Sequence, residues 1–175
     1  MTLRWLLSLL LLVAAPLAAK TELAETRLDA AALAQLKQAH LGQRWLVLCW
    51  SLDCPACLKE LSQIAALQRR YENLALVFIN TDADDELEPE RQQRLAQFEL
   101  SGFRHLYFAD GLAAQSRYVL DSGWYGELPR SYFVDELGHW RGSSGLLEAA
   151  QIRQWLVPGG VNDTHVVPAP AAGQG

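Results

Sequence analysis

Two cysteines separated by two residues are the feature of the chain that most directly indicates chemistry. Cys54 and Cys57 enclose Pro55 and Ala56, and they stand between an apolar run and a helix-like pattern. When such a pair lies in the first turn of a helix, its sulfurs come within bonding distance, so a disulfide opens and closes with little backbone movement. The spacing therefore predicts a redox-active disulfide, Cys54–Cys57.

The position of each cysteine in the predicted helix indicates a different role. Cys54 would occupy the N-cap, where free amide hydrogens and the helix dipole stabilise a thiolate. Cys57 would lie one turn further on, against the helix and the sheet. Because an accessible sulfur attacks and a sheltered sulfur resolves the mixed disulfide, we expect Cys54 to be the nucleophile and Cys57 the resolving thiol.

The residues beside the first cysteine adjust this chemistry. Pro55 suits the first helical position, because its fixed φ is already helical and its missing amide hydrogen would have no partner there. The Asp53 carboxylate disfavours a thiolate on Cys54, which keeps the pKa of that thiol from falling far. Strong oxidants owe their high reduction potential to a stabilised reduced form. Because Asp53 works against that stabilisation, we expect the protein to be a reductant.

Two other interpretations of the cysteine pair remain open. A purely structural disulfide is possible, although a loop this small constrains little entropy of the unfolded chain. A zinc half-site would need further ligands at finger-like spacing, which the four histidines do not show. The third cysteine, Cys49, lies in the apolar run and is interpreted as a packed, inert thiol. The histidines are His40, His105, His139 and His165.

Alternating patterns around the pair predict the elements that position it. Residues 45–50 form a nearly continuous apolar run, typical of a strand covered on both faces. An amphipathic pattern over 55–71 and a second apolar run over 74–79 complete a strand–helix–strand unit, and a helix over 28–40 precedes it. The chain is therefore expected to form an α/β sandwich of three layers. Further helices are predicted at 89–98, 112–119 and 147–155, and strands at 105–108, 131–134 and 139–141.

Length and charge limit the classes of function. The chain has 175 residues, which suits one ordinary domain, and its formal net charge is -5. That balance provides no basic surface for a phosphate backbone, so we expect no nucleic acid partner. The acidic run at 82–86 has no calcium-loop spacing and is interpreted as a solvated entrance to a helix.

The two ends of the chain have their own compositions. Residues 1–19 combine Arg4, an apolar stretch and a small-residue exit, which is the pattern of a secretory signal peptide. The apolar stretch is short of the roughly 20 residues of a membrane span, so we expect cleavage rather than an uncleaved anchor, and a periplasmic or otherwise extracytoplasmic protein. Residues 158–175 are rich in proline and glycine and predict a disordered tail. The folded domain is expected at 20–157.

Two runs of the sequence resemble a known superfamily. The similarity is carried by residues 46–57 and 126–138, and the second run contains a proline, an apolar strand and Asp-x-x-Gly. It is to the thioredoxin superfamily, and in particular to its extracytoplasmic TlpA/ResA/DsbE group of thiol-disulfide oxidoreductases. The resemblance spans 28–157 and implies a thioredoxin-like three-layer α/β/α sandwich with a central mixed sheet. The long segment between Asn80 and Pro129 implies an insertion before the strand that follows the cis proline.

The resemblance also implies a client-binding site and partners. Pro129 would be a cis proline facing the cysteines, and Leu128 would offer its backbone to an extended client segment. Trp124 and Tyr125 could line a groove for a partner protein or cap the insertion. No metal or organic cofactor is implied, and the protein would be a monomer. A membrane thiol transporter would supply electrons, and clients with disulfides, such as cytochrome c apoproteins, would receive them.

Three departures from the superfamily pattern concern the active site. Leu48 stands where thioredoxin-like proteins often carry a buried acid, so the proton shuttle must be another group or solvent. Asp53 replaces a common tryptophan, and Pro55 makes the motif Cys-Pro-Ala-Cys rather than Cys-x-Pro-Cys. These departures bear on the direction of electron flow and on the client, not on the fold.

The sequence thus favours an exported thiol-disulfide oxidoreductase that reduces disulfides of extracytoplasmic proteins. One alternative is a non-enzymatic thioredoxin-like module that binds a partner or a copper ion. A copper site would combine the soft sulfur ligands with a nearby histidine, either His139 or His105. The other alternative is a disulfide-forming oxidase.

Overall fold

A mixed β-sheet forms the centre of the protein. The computed structural model describes residues 25–157, and within them the strands follow the order β1-β4-β3-β2-β5-β6. Neighbouring strands from β1 to β2 are parallel, whereas β5 runs antiparallel to both β2 and β6. The strands are β1 Thr26–Arg27, β2 Trp45–Trp50, β3 Leu76–Asn80, β4 Arg104–Tyr107, β5 Arg130–Val134 and β6 Trp140–Ser144.

Helices cover both faces of this sheet. Trp45, Val47 and Cys49 of β2 face a cluster that includes α1 and α4, whereas Leu46 and Leu48 face one that includes α2, α3 and α5. This arrangement confirms the three-layer α/β/α sandwich with a mixed sheet. The helices are α1 Ala30–Ala39, α2 Pro55–Gln68, α3 Glu88–Gln97, α4 Ala113–Leu120 and α5 Ala149–Leu156, with a 3-10 turn at Asp85–Leu87.

The predicted elements agree with the structure, with small shifts at their ends. The first helix starts at Ala30 rather than at 28, because the Asp29 carboxylate accepts a hydrogen bond from the Ala32 amide at 2.8 Å and caps the helix there. The last strand extends to Ser144, beyond the predicted 139–141. The predicted insertion between β3 and β5 holds α3, β4 and α4. The two-residue strand β1 was not predicted.

The strand directions bring several loops to one edge of the sheet. The carboxyl ends of β2, β3 and β4 lie at this edge, and so does the amino end of β5, because β5 is antiparallel to β2. We call it the redox edge. The segments that follow β2 and β3 and the segment that precedes β5 therefore meet there.

The predicted terminal segments lie outside the described residues. The signal peptide at 1–19 and the tail at 158–175 are therefore predictions from sequence alone. Between residues 25 and 157, none of the helices has the length and apolar character needed to span a bilayer.

Candidate active site

A disulfide joins Cys54 and Cys57 in the first turn of α2. The sulfurs are 2.04 Å apart and the Cα atoms 5.2 Å apart. Cys54 is the N-cap, with extended backbone, and its Sγ accepts a hydrogen bond from the Cys57 amide at 3.1 Å. Pro55 occupies the start of the helix. The chain thus places its redox-capable sulfur against a free helix amide, where a thiolate would be stabilised.

The two sulfurs differ in their access to solvent. Cys54 is partly exposed, whereas Cys57 is only 1% exposed and packs in the cluster beneath α2. Asp53, immediately before Cys54, is exposed at the redox edge. A partner disulfide can therefore approach Cys54 from solvent, and Cys57 is reached through Cys54.

The Asp82 carboxylate anchors the loop that leads to Cys54. Its Oδ1 accepts the hydroxyl hydrogen of Ser51, and its Oδ2 accepts the Leu52 amide at 3.1 Å and the Asn80 side-chain amide at 2.7 Å. Ser51 Oγ in turn accepts the Asp53 amide at 3.2 Å. The end of β3 therefore holds the β2–α2 loop in place through one carboxylate.

This role of Asp82 corrects the interpretation of 82–86 as merely a solvated entrance to a helix. Asp84 does fit that interpretation, because it caps the 3-10 turn by accepting the Glu86 amide at 2.9 Å. Asp82 does not, because it bonds to a loop about 30 residues away. Its position directly after β3, beside the end of β2, is the signal that could have identified it.

Replacing Asp82 with alanine is expected to lower the free energy of unfolding by about 1–3 kcal/mol. The substitution leaves the Ser51 hydroxyl, the Leu52 amide and the Asn80 side chain without their acceptor. Urea denaturation of the oxidised protein measures the loss. Asp84→Ala, which removes a cap at an exposed turn, is the matched control and should cost less. Equal losses in the two variants would contradict the anchoring role.

A buried carboxyl lies one turn beyond the cysteine pair. Glu60 of α2 is 2% exposed, and its Oε1 accepts the Leu147 amide at 2.9 Å. Burial raises the pKa of Glu60 to about 7. Leu48, six residues before Cys54, is apolar and is buried in the same cluster as Cys57. Glu60 is thus a buried titratable carboxyl three residues after Cys57 in α2, and the sequence analysis missed it.

The segment before β5 lies beside the end of β2. The Leu128–Pro129 peptide bond is cis, as the resemblance implied. Arg130 pairs with Cys49, one residue before the end of β2, so Pro129 lies next to the point where the chain leaves for Cys54. The Pro129 carbonyl accepts the Gly145 amide at 2.8 Å. Leu128 is partly buried and packs against both core clusters.

The aromatic neighbours in this segment have different surroundings. Trp124 is 4% exposed, packs against Phe108, and donates its indole hydrogen to the Glu127 carbonyl at 2.9 Å. It therefore caps the insertion instead of lining an open groove. Tyr125 is 92% exposed, so its ring is open to solvent.

Solved structures of several thiol-disulfide oxidoreductases match this architecture. A secreted Mycobacterium tuberculosis disulfide oxidoreductase homologous to E. coli DsbE aligns over 67% of this chain and 82% of its own, with a TM-score of 0.53 and 18% identity. The chain has a thioredoxin fold. StoA from Bacillus subtilis covers 66% of this chain and 83% of its own, with a TM-score of 0.51 and 19% identity.

A further structure with the thioredoxin fold is a secreted thiol-disulfide isomerase from Corynebacterium glutamicum. It covers 69% of this chain and 72% of its own, with a TM-score of 0.53 and 12% identity. Neither a protein-family model nor a curated protein sequence matches the chain.

The histidines considered for copper lie away from the cysteine pair. His105 is buried in β4, where its Nε2 contacts the Leu100 carbonyl at 3.0 Å and burial lowers its pKa to about 4. His139 lies in the turn after β5, at the other end of that strand from Pro129, and contacts Asp135. Across residues 25–157, histidine, cysteine and acidic side chains form no group of three placed to hold a metal ion.

The third cysteine of this thioredoxin fold is enclosed. Cys49 lies in β2 with no exposed surface, and burial raises the pKa of its thiol. Since thiolates are the reactive form, this environment fits the predicted packed and inert thiol.

Proposed function

We propose that the protein is an extracytoplasmic thiol-disulfide oxidoreductase that reduces disulfides in other proteins. The observation that carries the proposal is the geometry of the pair: a partly exposed Cys54 sulfur at the N-cap of α2, bonded to a buried Cys57. The shared fold with solved thiol-disulfide oxidoreductases supports it. The signal-peptide pattern at 1–19 and the secreted proteins among those structures support the location.

The reaction proceeds in two exchange steps. In the reduced protein, the Cys54 thiolate attacks one sulfur of a client disulfide, forms a mixed disulfide and releases the other client sulfur as a thiolate. The Cys57 thiolate then attacks the Cys54 sulfur, closes the internal disulfide and releases the second client thiolate. Two electrons pass from the pair to the client, whose sulfurs take up two protons. A membrane thiol donor would reduce the pair again.

Glu60 is the proton acceptor for the resolving thiol in this proposal. Cys57 must lose its proton before the second step, and its sulfur is shielded from bulk water. Glu60 follows Cys57 by one helical turn, and burial raises its pKa to about 7. A carboxyl with such a pKa gains and loses a proton near neutral pH, as general acid–base catalysis requires.

The reducing direction is supported by the charge beside Cys54. The exposed Asp53 carboxylate opposes the stabilisation that the helix gives to a thiolate. A less stabilised thiolate makes the dithiol form a better electron donor.

The exposed Tyr125 and the backbone of Leu128 would contact the client beside the pair.

The reduction potential tests the proposed direction. Equilibration with dithiothreitol redox buffers is expected to give a value near that of thioredoxin, about −270 mV, and far from the roughly −120 mV of a strong periplasmic oxidant. Asp53→Asn removes the opposing charge and should raise the potential. A wild-type value near that of the oxidant would instead identify a disulfide-forming enzyme.

A further inference from the structure

The guanidinium of Arg130 joins three segments of the chain. Its Nη2 donates to Asp121 Oδ2 at 2.8 Å, and its Nη1 donates to Ser144 Oγ at 2.9 Å. Glu127 Oε1 lies 3.6 Å from the same Nη1 and also accepts the Ser144 hydroxyl hydrogen. The end of α4, the segment before Pro129 and the end of β6 therefore meet at one cation.

The surroundings of Arg130 hold this guanidinium in one orientation. The Arg130 side chain is 15% exposed and lies over the Tyr132 ring, 4.9 Å from its centre. The Tyr132 hydroxyl donates to the same Asp121 oxygen at 3.1 Å. A planar fork of donors on an aromatic face, paired with a carboxylate, is an arrangement that arginine makes and lysine does not.

Gly142 of β6 leaves the space that the guanidinium occupies. Gly142 pairs with Tyr132 across the two strands, and a Cβ atom at this position would come within 2.1 Å of Arg130 Nη2. No side chain larger than hydrogen fits there while Arg130 keeps its contacts. An alanine at position 142 would therefore displace the guanidinium from these contacts.

The segment held by Arg130 is the one expected to meet a client. Residues 127–130 are also tied by the Trp124 indole to the Glu127 carbonyl and by the Gly145 amide to the Pro129 carbonyl. Those two bonds use backbone carbonyls at the two ends of the Leu128–Pro129 unit. Without the guanidinium, the Glu127 and Asp121 carboxylates would lose the cation between them, and the segment would lose the side-chain link that Arg130 makes to the end of α4.

We propose that Arg130 is a positioning residue for client binding. It fixes the backbone of residues 127–130, on which an extended client segment would pair beside Cys54, and it acts through that backbone. In the described part of the chain, the guanidinium of Arg130 contacts Asp121, Glu127, Ser144 and the Tyr132 ring, and none of these contacts is to Cys54 or Cys57. This role rests on the function proposed above and adds a determinant of client affinity that is separate from sulfur chemistry.

The test compares a protein disulfide with a small one that has no peptide backbone. The full chain, reduced beforehand, is mixed with increasing insulin or with 2-hydroxyethyl disulfide, and the exchange rate is followed to saturation. Arg130→Met is expected to raise the half-saturating insulin concentration about tenfold, since a charged hydrogen-bond network is lost. Its rate with 2-hydroxyethyl disulfide should stay within about twofold of wild type, and its reduction potential should not change.

Three further variants separate positioning from a general loss of structure. Gly142→Ala displaces the guanidinium without changing Arg130 and should reproduce the insulin defect. Arg130→Lys keeps the positive charge but lacks the planar set of donors. It should therefore recover only part of the insulin affinity that Arg130→Met loses. Arg44→Met is the matched control and should behave as wild type. Arg44 lies just before β2, at the opposite end of that strand from the redox edge, and pairs with Glu136 at 2.8 Å.

Each outcome supports or overturns the role of Arg130. Unchanged insulin kinetics in Arg130→Met and Gly142→Ala would overturn it, and so would equal losses with both disulfides or a shifted reduction potential. If the wild type exchanges with neither disulfide, the proposed function fails and this role fails with it. If the wild type exchanges with both and the variants match it, the role of Arg130 alone is rejected.

Discussion

Replacing Cys54 with serine is expected to abolish reduction of protein disulfides, whereas replacing Cys57 with serine is expected to stop the reaction after its first step. Cys54 carries the solvent-accessible sulfur, so no other thiol can begin the exchange when it is lost. Cys57 is 1% exposed and acts only on the mixed disulfide. Without Cys57, Cys54 can still attack the client disulfide but cannot be released from the mixed disulfide.

Insulin reduction measures the first effect and trapping measures the second. Reduced Cys57→Ser, incubated with oxidised insulin, should form a covalent adduct that survives non-reducing electrophoresis and disappears with dithiothreitol. Cys49→Ala is the matched control for losing a cysteine, since Cys49 is buried in β2, and it should keep full turnover. Turnover by Cys54→Ser, or no adduct on Cys57→Ser, would contradict the assigned roles.

The free energy of unfolding should fall by about 3 kcal/mol between pH 4.5 and pH 8 because of Glu60 alone. Burial raises the pKa of Glu60 from 4.5 to about 7 in the folded protein. Between those values the folded state holds a proton that the unfolded chain has released, so stability decreases as the pH rises. Below the lower value both states are protonated, and the stabilisation is fully present.

Glu60→Gln removes this dependence on pH. The glutamine oxygen can still accept the Leu147 amide, and the side chain has no proton to lose, so the variant should be more stable than wild type at pH 8. Urea denaturation of both oxidised proteins from pH 4.5 to pH 8 gives the difference, which cancels contributions of other carboxyls such as Glu25. Glu72→Gln, at an exposed position, should follow the wild-type curve. Parallel curves for wild type and Glu60→Gln would contradict a raised pKa at Glu60.

Regular patterns explain why most of the fold could be predicted from the sequence. Helices cover both faces of β2 and β3, so these strands have continuous apolar runs that stand out from the alternation of a half-exposed strand. The N-cap position of Cys54 follows from the proline next to it. By contrast, β1 has two residues, too few to show any period.

The supporting polar groups could not be predicted, because their partners are distant in the chain. Asp82 bonds to the loop before Cys54, and Glu60 bonds to Leu147, 87 residues away. Local composition identified Asp82 only as part of an acidic run. Trp124 and Tyr125 are adjacent in an irregular segment, where neither helical nor strand periodicity indicates which side chain is buried.

The enclosure of Cys49 has a practical consequence for experiments on the native protein. Although the chain contains three cysteines, Cys49 and Cys57 are both buried, so a bulky thiol reagent meets only Cys54 after reduction and none of the three before it, provided that the fold is intact. The extent of alkylation therefore reports the redox state directly, because the buried Cys49 thiol does not react. A client captured by the Cys57→Ser protein is attached at one known atom, so the linked peptide reports which client cysteine was attacked.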